Sequence, residues 1–222
     1  MKLGAVIVAA GRGERLGNPI PKAHLLLGEK PLFQYSLDLF LNHSQISEIV
    51  LVTNTSVSQE KVKVIEGGAR RQDSVEKGLM ALSPDVQGVL IHDAARPFLT
   101  AALIDRLSAA LREGNNAIAA LPVLDTVKEA DGGKIIRTVD RKTLWRAQTP
   151  QAFFVSQLKE AFAMARKHSW EEATDEAFLI EKSGGTVYCV EGDARNLKIT
   201  TPADWEWAEI VIARPKAEAI PG

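Results

Sequence analysis

The 222 residues carry 27 Lys plus Arg against 28 Asp plus Glu, so the chain is nearly neutral and lacks the basic excess of a dedicated nucleic-acid binder. At 45% hydrophobic and 25% charged residues, it has the composition of a protein that buries a substantial core. The single cysteine, Cys189, excludes an internal disulfide and stands in no Cys/His metal spacing, which fits a reducing cytoplasm.

Lys2 and the apolar run 3–10 have the outline of a signal peptide, but Arg12, Glu14 and Arg15 interrupt it too early. No apolar run approaches the roughly 18 residues needed to cross a bilayer, so no membrane attachment is expected. Short β-branched runs at 5–10, 48–53, 62–66, 88–92, 116–121 and 185–190 read as strands buried on both faces. Helical periodicity occupies 31–43, 71–82, 100–113, 155–168, 174–183 and 202–213. The alternation predicts the α/β class, with a doubly wound, mostly parallel sheet covered by helices on both sides. No linker or repeat divides the chain, and one domain over 1–222 is expected. One stretch departs from the alternation. Residues 121–151 hold two alternating runs joined by Asp131-Gly132-Gly133, a hairpin signal. A hairpin has no place inside such a sheet, so 121–146 is predicted as a projecting arm, and 214–222 as a loose tail.

The first strand runs into a loop of glycines, cations and prolines, "AAGRGERLGNPIPK". The dinucleotide fingerprint fails there, because the slot for the third glycine after Gly11 and Gly13 holds Leu16. The Walker loop fails too, because Gly17 is followed by Asn18 and Pro19. A third arrangement remains: Ala9, Ala10, Gly11 and Gly13 let backbone amides approach an anion, with Arg15 and Lys22 adding charge behind Pro21. Arg12 and Lys30 read as solvated cations.

Further along, "GGARRQDSVEKGL" (67–79) sets two glycines before a helix expected to start near Gln72 or Asp73. Ser74 falls in its first turn, where it either meets a ligand or caps the helix, as Asp73 also could. In "LIHDAARPF" (90–98), Asp93 and Arg96 lie just past a strand end, where open α/β sheets bind ligands. A plain surface ion pair is the alternative, and His92, facing the other way, is structural. Thr126 and Arg141 lie on the arm. Thr149 and Thr174 stand where each could equally be a helix N-cap, with Pro150 at a first helical position. Thr201 and Asp204 form a capping-box pattern, while Lys198 just before them has no local structural explanation.

The first loop resembles that of nucleotidyltransferases that form nucleoside-diphosphate sugars and alcohols. Together with "DAARP", "DTVK", "TVDRKTLW" and "NLKIT", it resembles the 2-C-methyl-D-erythritol 4-phosphate cytidylyltransferase family, in ordered blocks from about Ala5 to Ile210. Ala69, where many members carry an acid, and Val8, where many carry proline, depart from the pattern. The resemblance implies a Rossmann-like fold and transfer of CMP from CTP to methylerythritol phosphate in the non-mevalonate isoprenoid pathway. The alternative is another polyol phosphate such as ribitol 5-phosphate. It implies Arg15, Lys22 and Lys198 as catalytic cations. It places Ala9, Ala10, Gly11, Gly13, Gly68 and Ser74 on CTP, and Asp93, Arg96, Thr126, Arg141, Thr149 and Thr174 on the acceptor. It further implies Mg2+ carried mainly by the CTP phosphates, no dedicated protein metal ligand, and a homodimer joined through the arms.

Overall fold

The computed structural model describes residues 1–11, 20–170 and 173–213. Gly13, Arg15 and the predicted tail lie outside the described residues.

The first strand, β1 (Leu3–Val8), forms because an unbroken apolar run can bury both faces at once. A two-residue ladder follows, β2 (Leu26–Leu27) with β3 (Lys30–Pro31), and then α1 (Leu32–Leu41). Strands β4 (Ile46–Val52) and β5 (Lys63–Ile65) precede α2 (Arg71–Ala81). Next come β6 (Gly88–Asp93), α3 (Ala101–Arg112), β7 (Asn116–Pro122), and the pair β8 (Val127–Asp131) and β9 (Lys134–Val139). The chain continues through β10 (Trp145–Phe154), α4 (Val155–His168), α5 (Glu176–Lys182), β11 (Val187–Glu191) and α6 (Pro202–Ala213).

Seven strands form one sheet in the order β11-β7-β10-β6-β1-β4-β5. All pairs are parallel except those of β10, which runs antiparallel to β6 and β7. The period of two along β1 sends Leu3, Ala5 and Ile7 to one face, against Phe33, Leu37 and Phe40 of α1 and Leu103 and Leu107 of α3. Val6 points to the other, against Leu79 of α2, Phe162 of α4 and Leu179 of α5. The sheet order reverses at β1 and β6, so a crevice opens beyond Val8 and Asp93, at their carboxyl ends.

The arm is present but differs in its bounds. It is the separate two-stranded sheet β8–β9, turning through Gly132 and Gly133 at φ of +53° and +83°. Two successive left-handed residues are what a tight hairpin turn requires, and glycine adopts them without strain. The predicted span 121–146 takes in too much. Leu121 and Pro122 still belong to β7 and pair with Arg146 and Trp145 of β10, and Val123 N donating to Leu144 O at 3.0 Å closes the root. Strand β10 has no counterpart in the sequence reading, because "WRAQTPQ" carries a proline and polar residues that argue against a central strand. The register shifts between Ala147 and Gln151, which lets the sheet accommodate Pro150. Thr149 is therefore inside a strand and caps no helix. The cap of α5 is Asp175, which accepts from Phe178 N, and not Thr174.

Phe153, fully buried on β10, fills the face covered by α4. Phe153→Ala should cost about 3–5 kcal/mol, read as a lowered urea midpoint with an unchanged slope.

Candidate active site

A cavity of about 660 Å³ occupies the crevice and is lined by the ends of β1 and β6, the turn before α2, Lys22 and the segment carrying Lys198 and Thr200. Among the described lining residues, Lys22, Arg70, Arg71 and Lys198 are cationic and Asp93 is the one carboxylate. Arg70 is paired with Asp73, and Arg71 with both Asp93 and Glu176, which still leaves a net positive lining that attracts anions.

One wall is built from close backbone approach. A Cβ on Gly67 would lie 2.3 Å from Ala10 Cβ, and one on Gly68 would lie 2.4 Å from Asp73 Cβ, so only glycine fits at either position. Ser74 Oγ accepts from Gly68 N at 3.0 Å and donates to Arg70 O at 3.1 Å. Helix α2 starts at Arg71, within a residue or two of Gln72 and Asp73 and in line with the periodicity over 71–82, and the Asp73 carboxylate closes its first turn by accepting from Arg70 N at 3.0 Å. Asn54, unmarked by any sequence motif, bridges the two glycine-rich segments. Its Oδ1 accepts from Gly67 N at 2.8 Å and its Nδ2 donates to Ala10 O at 3.5 Å. Ala9, Ala10, Gly11, Gly68 and Ser74 all line the cavity.

The floor is ionic. Asp93 Oδ1 accepts from Arg71 Nε at 2.8 Å and Oδ2 from Lys198 Nζ at 2.7 Å. Burial opposes ionisation of Asp93, but the two cations outweigh it and hold its pKa far below the usual carboxylate range. Arg71 Nη1 also donates to Glu176 Oε1 at 2.8 Å. Burial raises the pKa of Glu176, with Arg71 opposing the shift. Neither Arg71 nor Glu176 was singled out from the sequence. The partners of Arg71 lie 22 and 105 residues away, so no local spacing marks it.

The second lysine, Lys22, comes from a one-turn 3-10 helix, Lys22–His24, that follows Pro21. Its Nζ donates to Ile199 O at 2.6 Å, which ties the first loop to the Lys198 segment.

Thr149 and Arg96 do not line the cavity; they support it from behind. Asp93 N donates to Thr149 Oγ1 at 3.0 Å. His92 Nε2 meets Arg96 O at 3.1 Å, and a carbonyl can only accept, so the proton sits on Nε2. Nδ1 is then free to accept from the Thr149 hydroxyl at 3.2 Å. Arg96 Nη1 donates to Asn196 O at 2.7 Å, and Asn196 Nδ2 donates to Thr149 O at 2.7 Å. Thr174 is exposed. On the arm, Arg141 donates to Leu124 O, and neither it nor Thr126 reaches the cavity of its own chain.

No histidine or cysteine lines the cavity, so its described lining holds no serine–histidine or cysteine–histidine relay. What it offers instead is fixed positive charge around one anchored carboxylate. That arrangement suits transfer at phosphorus. The family model for 2-C-methyl-D-erythritol 4-phosphate cytidylyltransferase matches residues 3–214. The chain belongs to this family. It is 42% identical to the 2-C-methyl-D-erythritol 4-phosphate cytidylyltransferase of Prochlorococcus marinus, covering 94% of this chain and 97% of the relative. It is also 42% identical to a bifunctional IspD/IspF enzyme of Rhodospirillum rubrum, where the match takes 94% of this chain but only 56% of the longer protein. The crystal structure of the Thermus thermophilus 2-C-methyl-D-erythritol 4-phosphate cytidylyltransferase superposes with a TM-score of 0.80 at 36% identity, over 93% of this chain and 97% of that one. Family membership makes this chain a nucleotidyltransferase with an α/β fold, as its sequence motifs imply.

Burial holds the His92 imidazole at about 4, below its usual 6.5. The unfolded chain takes up a proton there as pH falls from about 6.5, while the folded chain stays neutral until about 4. Stability should therefore fall across that window, by up to about 1.4 kcal/mol per pH unit from this residue. Urea unfolding at several pH values should give a flatter profile for His92→Gln than for the parent.

Proposed function

We propose that the chain transfers the cytidylyl group of CTP to 2-C-methyl-D-erythritol 4-phosphate and releases pyrophosphate. The observation that carries this reading is the cationic cavity at the ends of β1 and β6, with Lys22 and Lys198 on its lining, in a chain that matches the family from residue 3 to 214. A phosphate monoester has its second pKa near 6, so at neutral pH the attacking acceptor is already largely a dianion and needs no general base. One of its oxygens forms a bond to the α-phosphorus of CTP, the bond from that phosphorus to the β-phosphate oxygen breaks, and its electron pair leaves with pyrophosphate. The barrier lies in bringing two polyanions together and stabilising the charge that builds at phosphorus.

Lys22, Lys198 and Arg15 are assigned to the triphosphate and the transition state. Ala10, Gly68 and Ser74 form the wall for the cytosine, with Gly11 and Gly13 assigned to the phosphates, while Ala9, whose N donates to Val52 O at 2.8 Å, shapes the wall by its small side chain. Thr174 is assigned to the acceptor, and Asp93 holds Lys198 in place. Arg96 and Thr149 act one layer further out, through Asn196 and His92. The residues present fit a Mg2+ carried by the nucleotide. Asp93 is the only carboxylate on the described lining, and both its oxygens already accept from cations. When bound, Mg2+ supplies neutralisation of phosphate charge, usually while keeping several waters.

Thr126 and Arg141 reach an acceptor only in a second copy of the chain. The arm leaves Ile135 and Ile136 59% and 60% exposed in the single chain, and a two-fold partner covers such residues. The reading is therefore a homodimer whose arms complete each other's sites.

Pyrophosphate release measured over CTP, UTP, methylerythritol phosphate and ribitol 5-phosphate tests the substrate assignment. Turnover should require CTP, Mg2+ and methylerythritol phosphate. In the same assay, Lys22→Ala or Lys198→Ala should lose about 10²-fold or more in kcat. Faster turnover with UTP or ribitol 5-phosphate overturns the substrate, and near-native lysine variants overturn the electrostatic roles.

The dimer is tested by complementation. Lys22→Ala and Arg141→Ala chains should each be nearly inactive, while verified mixed dimers should recover activity, since one site keeps Lys22 from one chain and Arg141 from the other. Mixed dimers that stay inactive would mean that Arg141 serves its own chain.

A further inference from the structure

Arg71 joins Asp93, on the cavity lining, to Glu176, which is buried behind that lining. Its Nε donates to Asp93 Oδ1 at 2.8 Å, and its Nη1 donates to Glu176 Oε1 and Oε2 at 2.8 and 3.1 Å. The other oxygen of Asp93 accepts from Lys198 Nζ at 2.7 Å. Charge thus alternates along Glu176, Arg71, Asp93 and Lys198, each joined to the next by an ion pair. Glu176 is buried at the first position of α5, two residues past Thr174. Arg71 is the first residue of α2, so the capping bond from Asp73 also fixes where its guanidinium starts.

The residue type matters. A guanidinium is a planar fork with separate donors for two acceptors, whereas an ammonium is a point charge that serves two separated carboxylates poorly. Without a cation between them, Asp93 and Glu176 would be left as buried carboxylates with Lys198 as the nearest compensation.

We propose that Arg71 is a positioning residue that couples the acceptor segment around Thr174 to Lys198. By occupying Oδ1 of Asp93 it leaves Oδ2 as the one seat for the Lys198 ammonium. By holding Glu176 it fixes the start of α5 relative to that seat. When Lys198 engages phosphate, Arg71 remains as the counterion of Asp93, so the carboxylate does not draw the lysine back. This inference rests on the assignment of Lys198 to the nucleotide phosphates.

The test compares Arg71→Met, Arg71→Lys and the double variant Arg71→Met/Glu176→Gln with the parent, measuring kcat, KM for each substrate and melting temperature. Arg71→Met should lose about 10²-fold in kcat, the scale of a misplaced catalytic group. Its KM for CTP should stay within about threefold, because the other phosphate contacts remain. Arg71→Lys should recover part of kcat. The double variant no longer buries an uncompensated Glu176, so it should regain melting temperature without regaining kcat. Should the double variant recover kcat together with melting temperature, or Arg71→Met keep kcat within about threefold of the parent, Arg71 serves the fold alone. If neither Met variant folds, Arg71→Lys decides: a native melting temperature with reduced kcat supports the coupling, and a parental kcat overturns it. A parent enzyme that releases no pyrophosphate from CTP would overturn the assignment of the site itself, independently of Arg71.

Discussion

Everything at the cavity floor depends on keeping one ionised carboxylate, Asp93, in a place that burial makes hostile to charge. Desolvation favours the neutral acid, and only cations at both oxygens reverse that preference. Arg71 and Lys198 supply them from opposite sides of Asp93 in the sequence, 22 residues before it and 105 after it. Removing one partner of a buried pair costs about 3–5 kcal/mol, because the remaining charge is stranded. The same constraint binds the surroundings, since Asp93 can hold Lys198 in register only if its own backbone is held.

That anchoring comes from β10. Thr149 accepts from Asp93 N, donates to His92 Nδ1, and through its carbonyl takes the amide of Asn196. Gln148 adds a bond to Asp193 O at 2.9 Å, and Ile199 N donates to Ala95 O at 2.8 Å. The segment that presents Lys198 has no regular secondary structure, yet it is tied to β6 and β10 by buried side-chain donors. An irregular segment held this way can present a lysine as firmly as a helix would. Such preorganisation is what stabilising charge at phosphorus requires.

Much of this was legible in the sequence where the signal is local. The α/β alternation, the hairpin turn and the bounds of α4 and α6 follow from periodicity and turn chemistry. The capping box that opens α6 is there as read, with Asp204 Oδ2 accepting from Thr201 N at 2.8 Å. Thr149 and Thr174 show the limit of such reading. Both precede or adjoin residues that suit a helix start, but Thr149 lies in a strand and Asp175 takes the capping role. A threonine beside proline looks the same in either setting until the neighbouring strands are known.

The sequence by itself determined the class of the fold and the family motifs of the nucleotide loop, because both are written in spacings of a few residues. It also marked Lys198 as a residue without a local role. Only the tertiary structure decided what Lys198 pairs with, that Arg71 forks between Asp93 and Glu176, and that β10 runs against its neighbours as the support of the site. Those outcomes rest on contacts between residues up to 105 positions apart. Whether an arginine becomes a solvated cation or the counterion of a buried carboxylate depends on the dielectric around it, and that exists only once the sheet and its helices have closed.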